Sequence, residues 1–179
     1  MKRVAALIRA VNVGGQGKLP MADVRQALGQ AGFDRPETLL ASGNAVVGTA
    51  LSSAKAEAAL EAAIETRFGF RTDVLVRDLD ELKAVIAANP FDDFARDRPN
   101  LLLVYFLRGE PQAELSALEP FCGRGEQVAH GPGCLYMAYP DGSGVSKLSG
   151  ATIDRKLKVR GTGRNWNTVG KLAARLSGA

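Results

Sequence analysis

Residues 4–11 form an apolar run of strand type, closed by Gly14-Gly15. Pro20 then stands where a first helical turn accepts proline. Met21, Val24, Leu28 and Ala31 follow at helical spacing, and Gly32 supplies a stop. Residues 38–40 and 45–47 read as short strands around Ser42-Gly43-Asn44, a hairpin signal. Ser52 or Ser53 can cap the next helix, whose face is Ala56, Leu60, Ile64 and Phe68 and whose end is Gly69. Residues 72–76 are a fourth strand. The succession is β-α-β-β-α-β, the ferredoxin-like order. A further helix runs over 78–88: Asp78 and Glu81 fit a capping box, Leu82, Val85 and Ile86 give the stripe, and Pro90 closes it.

The same order returns without visible sequence identity. Residues 101–107 read as a buried strand and 111–118 as a short helix. Residues 127–129 and 134–138 flank a Gly-Pro-Gly turn. Residues 146–158 are helical, 159–162 a short strand, and 168–176 a last helix. The expected class is α+β, with tandem ferredoxin-like halves packed as one protein. The domains expected are 1–90 and 100–179, the second ending in basic helices, joined by a linker over 91–99 that carries two phenylalanines.

The chain has 179 residues, 46% hydrophobic and 23% charged, which excludes a disordered, collagen-like or disulfide-packed polypeptide. The net charge of +4 hides an asymmetry. Residues 145–179 hold eight basic side chains against Asp154 alone, a balance of +7, so residues 1–144 carry −3. Such a segment favours anionic partners, although charge runs are commonly solvated surface. Cys122 and Cys134 lack metal-ligand spacing, and His130 neighbours a turn, so neither a metal nor a cofactor is implied. The N-terminal apolar stretch is too short for a signal or a span, because Arg9 and Asn12 interrupt it. A cytoplasmic protein that does not engage membranes is expected.

Four motifs carry candidate chemistry. In the first, Asn12, Gly14, Gly15 and Lys18 lie between a strand and a helix. Glycine there lets backbone N–H groups approach an anion, and a lysine adds a point charge. The spacing is not that of a P-loop, and a tight turn explains the glycines equally. In the second, Ser42 and Asn44 flank Gly43. In the ferredoxin-like order strand three lies antiparallel beside strand one, which brings this turn to the edge where the first loop begins. In the third, Arg164, Asn165, Trp166 and Asn167 combine a stacking surface with amides. Against that, Trp166, Val169, Ala173 and Leu176 share one helical face, which makes the tryptophan core and an asparagine the cap. In the fourth, Ser146-Lys147-Leu148 precedes a basic helix. Adjacent Ser and Lys diverge by about 100° on a helix, so a cap beside a phosphate-facing Lys147 fits better than catalysis.

No Ser-His-Asp set, facing carboxylate pair or dinucleotide fingerprint occurs. Tyr105 and Phe106 are adjacent and point to opposite faces, so the paired aromatics of an RNA recognition motif are absent.

These landmarks, in order, are residues 6–15, Lys18, Met21, Ser42-Gly43-Asn44, Asn89-Pro90-Phe91, Ser146-Lys147-Leu148 and Arg164-Asn165-Trp166-Asn167-Thr168. Together they resemble the bacterial family called domain of unknown function 1697. Ala10 departs from the glycine common there, and Gly161-Thr162-Gly163 from the usual Thr-Thr before the arginine. The resemblance implies an α+β fold of ferredoxin-like character and no reaction. The leading expectation is a non-catalytic binding protein for a nucleic acid or a phosphorylated small molecule. Lys18, Lys147 and Arg164 would meet phosphate, Gly14-Gly15 would allow close approach, and Asn12, Asn44 and Asn167 would orient the partner. An enzyme acting on a phosphorylated metabolite and a protein-interaction domain are the alternatives.

Overall fold

A computed structural model describes residues 1–9 and 19–178. In chain order its elements are β1 (Lys2–Ile8), α1 (Met21–Gln30), β2 (Asp34–Leu39), β3 (Asn44–Thr49), α2 (Ser53–Phe68), β4 (Val74–Arg77), α3 (Leu79–Ala87) and α4 (Asp92–Asp97). Then come β5 (Leu102–Leu107), β6 (Gln127–Gly131), β7 (Cys134–Ala138), α5 (Gly150–Leu157), β8 (Gly161–Asn165) and α6 (Trp166–Ser177). The fold is mixed α+β with two four-stranded antiparallel sheets, ordered β2-β3-β1-β4 and β6-β7-β5-β8. The chain divides into two units. One is Met1–Leu82 with Leu172–Ala179, and the other is Lys83–Lys171.

In the first unit, Val4, Ala6 and Ile8 alternate toward a core with Val24, Leu28, Ala56, Leu60 and Ile64. The intervening Ala5 and Leu7 are equally buried, as are Val46 and Leu75. Burial on both faces is why β1 reads as a continuous apolar run rather than an alternation. In the second unit, Tyr105, Leu107, Leu135 and Met137 pack with Ile153 and Leu157. Val104, Phe106 and Tyr136 on the other face are buried too.

Local differences from the sequence reading have local causes. The helix expected over 111–118 is instead a 3-10 helix, Leu115–Phe121, because Pro120 inside it cannot donate an α-helical bond. The helix expected from residue 146 starts at Gly150. Ser149 caps it, its Oγ accepting from the Thr152 N–H at 3.2 Å. Asn165 caps α6 in the same way, its Oδ1 accepting from the Asn167 N–H at 3.0 Å. That pulls the helix start back to Trp166 and leaves β8 to end at Asn165. The capping box at Asp78 and Glu81 is made in both directions, at 2.8 and 3.0 Å. Residues 91–99 hold α4, and Phe91 and Phe94 pack with Ala95, Leu102, Ala138 and Trp166.

Candidate functional site

Asn12, Gly14, Gly15 and Lys18 lie outside the described residues. The edge that precedes them is described. β1 runs antiparallel to β3 with Leu7 opposite Asn44, and the Ile8 N–H donates to the Gly43 carbonyl at 2.8 Å. The end of β1 and the start of β3 therefore meet. Asn44 is fully buried. Its Nδ2 donates to the Leu39 carbonyl at 3.1 Å and to Ser42 Oγ at 2.9 Å, so the turn brings Ser42 and Asn44 together. Gly43 at φ 79° supplies the backbone reversal between them. Arg9, one residue past β1, pairs with Asp73 at 3.4 Å.

The second unit holds the other candidates. Ser146 accepts from the Leu148 N–H at 3.0 Å and donates to Glu126 Oε1. The Lys147 carbonyl accepts from Thr152 Oγ1 at 3.1 Å. The Lys147 carbonyl is thus held, the residues on either side of it are tied by the Ser146 hydroxyl, and its side chain is exposed. Burial works against a charged Glu126, but the Ser146 hydroxyl, the N–H groups of Arg124 and Glu126 itself, and the Arg124 charge outweigh it. They hold the carboxyl below its ordinary value. The same carboxylate sits near Tyr139 and Cys122. Burial first and its charge second push the Tyr139 phenol and the Cys122 thiol up. The thiol is free and stays protonated at neutral pH, which makes it a poor nucleophile.

Arg164 is almost wholly buried on β8 and donates to Thr162 Oγ1 at 2.7 Å and the Gly163 carbonyl at 2.8 Å. Burial pushes its guanidinium down to about 10, which leaves it charged at neutral pH. Asn165 is both the cap of α6 and a donor to the Asn100 carbonyl at 2.7 Å. Trp166 is half-buried against the cluster of Ala95, Leu102 and Ala138, and Asn167 is exposed. Residues 164–167 thus form one contiguous group. No hydrogen bond or ion pair joins Lys147 to it among the described residues.

Several arrangements had no sequence signal strong enough to find them. Glu126 is a single acid between glycine and glutamine, and only the fold brings it to Ser146. Tyr105 donates to Asp154 at 2.7 Å across 49 residues. Tyr105 and Phe106 are both buried, so neither offers a stacking face. Among the described residues no group of three His, Cys, Asp or Glu could hold a metal ion, and no helix is long and apolar enough to cross a membrane.

No curated protein matches the chain. Among solved structures, the chain is similar to the conserved bacterial protein SP0830 from Streptococcus pneumoniae. The TM-score is 0.69 and the identity 22%, with 97% of this chain and 98% of that one covered. At that identity the likeness establishes the fold alone. The motifs at 146–148 and 164–168 lie beyond the stretch that a family model matches, residues 1–136. That stretch is more than half of the chain, and the chain belongs to the family described as protein of unknown function (DUF1697).

Proposed function

We propose that the protein is a non-catalytic binding protein for an anionic partner, with the second unit providing the cationic surface. One observation carries this reading. Lys147, Arg155, Lys158 and Lys171 are all exposed, and no side-chain hydrogen bond or ion pair engages any of them among the described residues. A run of cations that solvates itself through internal ion pairs would not look like this. The first unit provides the contrast, since its Arg67 and Arg71 pair with Asp23 and Glu65. The roles assigned to Asn12, Gly14, Gly15 and Lys18 belong to the same reading. Ser42 and Asn44 shape the turn that meets the end of β1, and Arg164 and Asn167 stand on the β8–α6 junction. The like strand orders of the two sheets support a tandem ferredoxin-like architecture with halves at 1–90 and 100–179. A cytoplasmic setting is part of the same proposal.

The test is a thermal-shift screen against pyrophosphate, nucleotides and sugar phosphates, beside a fluorescence titration with mixed DNA and RNA at low salt. Stabilisation by phosphate compounds, or binding that weakens steeply with salt, is the expected result. Lys147→Ala is expected to weaken the interaction without lowering Tm. Flat responses in every arm dispose of the reading.

A further inference from the structure

We infer that β6 is a self-association edge. Two copies of this chain pair β6 against β6, antiparallel about a two-fold axis at Ala129, and join their β6-β7-β5-β8 sheets into one sheet of eight strands. The inference goes beyond the anion-binding reading and does not depend on it.

The hydrogen bonds of β7 decide which groups of β6 face outward. The Leu107 N–H donates to the Gly133 carbonyl at 2.9 Å, and the Tyr139 N–H donates to the Leu101 carbonyl at 3.0 Å. Residues 133, 135, 137 and 139 therefore turn their backbone to β5, which leaves Cys134, Tyr136 and Ala138 to bond β6. Their register partners are Gly131, Ala129 and Gln127. Val128 and His130 consequently direct their N–H and carbonyl groups away from the sheet. Among the described residues neither has a further backbone partner. This outward row is bounded at both ends. Pro132 has no N–H, and the Glu126 N–H is taken by its own carboxylate.

The other three edges are closed, each by a different device. On β4 the Val74 and Val76 N–H groups donate to Glu61 and Glu57 at 3.0 and 2.9 Å. On β8 the Gly163 carbonyl, which points away from β5 by the same alternation, accepts from the Arg164 guanidinium at 2.8 Å. β2 carries Pro36, a break in register between Asp34 and Glu37, and the charges of Asp34, Arg35 and Glu37. Proline, irregularity and charge are the means by which an edge strand refuses a neighbour. β6 has none of them: residues 127–131 contain no Lys, Arg, Asp, Glu or Pro, and their register with β7 is unbroken.

The open row matches itself. A two-fold axis at Ala129 sets Val128 against the partner's His130 and His130 against the partner's Val128, so two N–H and two carbonyl groups from each copy make four hydrogen bonds. The absence of charge along β6 means that identical strands do not repel. The same axis brings the Glu126 end of one strand to the partner's Pro132. At that end stands Val145, 55% exposed, one residue before the Ser146 whose hydroxyl donates to Glu126. An exposed apolar side chain thus meets an exposed proline, and symmetry makes that contact twice. A contact built on one five-residue strand is small beside the interface of a permanent dimer, so monomer and dimer are expected to exchange.

The test is sedimentation of the full chain from about 10 µM to about 1 mM. The expected result is an average mass that rises with concentration from one chain toward two. His130→Pro removes two of the four hydrogen bonds while sparing the β6–β7 ladder. It is expected to weaken association about tenfold or more with Tm little changed. Ala129→Cys tests the register and remains decisive if the proline variant does not fold. The axis places the two residues at position 129 about 4.5 Å apart at Cα, within disulfide range. Mild oxidation is expected to link Ala129→Cys into dimers at least about tenfold faster than Gln127→Cys, which faces the partner's Gly131. The unaltered chain, with Cys122 and Cys134, is the control. A chain that stays monomeric at the highest concentration overturns the inference, even if it captures an extended peptide instead. So does a dimer that folded His130→Pro leaves intact, or cross-linking of Ala129→Cys no faster than that of Gln127→Cys.

Discussion

Glycines 161 and 163 show how a single position is constrained by what lies over it. A Cβ on Gly161 would stand 2.4 Å from the Phe106 carbonyl and 2.5 Å from Tyr105 Cε1, and Gly163 lies directly opposite Tyr105 across the strands. The Tyr105 ring covers both glycines, which gives a physical reason for Gly-Thr-Gly in this chain. Gly161→Ala is therefore expected to cost about 1–3 kcal/mol in urea unfolding, since a backbone carbonyl cannot yield. Gly170 is the opposite case: it lies inside α6, and nothing approaches its Cβ position. Gly170→Ala is expected to stabilise by up to about 1 kcal/mol through helix propensity alone. Glu126 is constrained by charge instead. Its folded-state pKa lies below the ordinary 4.5, so its contribution is present above that pH and is lost as pH falls through the folded value. Glu126→Gln is expected to lower stability at neutral pH and to flatten the acid limb below about pH 4.5, read from urea midpoints against pH.

Strand edges and helix ends are where the sequence was least legible, because partners remote in the chain decide them. β4 is an edge strand, yet its Val74 and Val76 N–H groups donate to Glu61 at 3.0 Å and Glu57 at 2.9 Å. Four residues apart on α2, these carboxylates close the ladder where a further strand would add. Nothing in the periodicity of α2 distinguishes them from solvent-facing acids. Glu57→Ala with Glu61→Ala is expected to cost about 1–3 kcal/mol and to increase light scattering on storage, because two strand donors become available. The helix cores were easy by comparison. Val24 and Leu28 in α1, and Ala56, Leu60 and Ile64 in α2, are the buried positions that the 3.6-residue period selects. Starts were harder, since Ser146, Ser149, Asn165 and Asn167 all offer cap chemistry, and only the observed bonds choose Ser149 and Asn165.

At the scale of the whole chain, local patterns predict the elements one after another, while the division into two units depends on contacts remote in the chain. The division falls within α3 and within α6, so that Leu172–Ala179 belong to the first unit although α6 begins in the second. A continuous helical stripe gives no sign of such a change. The physical cause is visible in Glu37 on β2, which accepts from Arg3 at 2.7 Å and also from Arg175 near the end of α6. Arg3 foremost, and Arg175 after it, hold the Glu37 carboxyl below its ordinary value despite its partial burial. The ion pairs are a third to a half exposed, so salt and water screen them, and they cannot anchor this segment alone. Leu172 is fully buried, so its side chain adds apolar burial beside the ion pairs. Two variants separate these contributions. Glu37→Gln is expected to cost less than about 1 kcal/mol, with the loss shrinking in high salt. Leu172→Ala is expected to cost about 2–5 kcal/mol, independent of salt. Amide exchange distinguishes the outcomes further. If the last turn of α6 is integral to the first unit, Leu172→Ala speeds exchange in β1 and β3. If exchange quickens only within residues 83–171, the helix belongs wholly to the second unit.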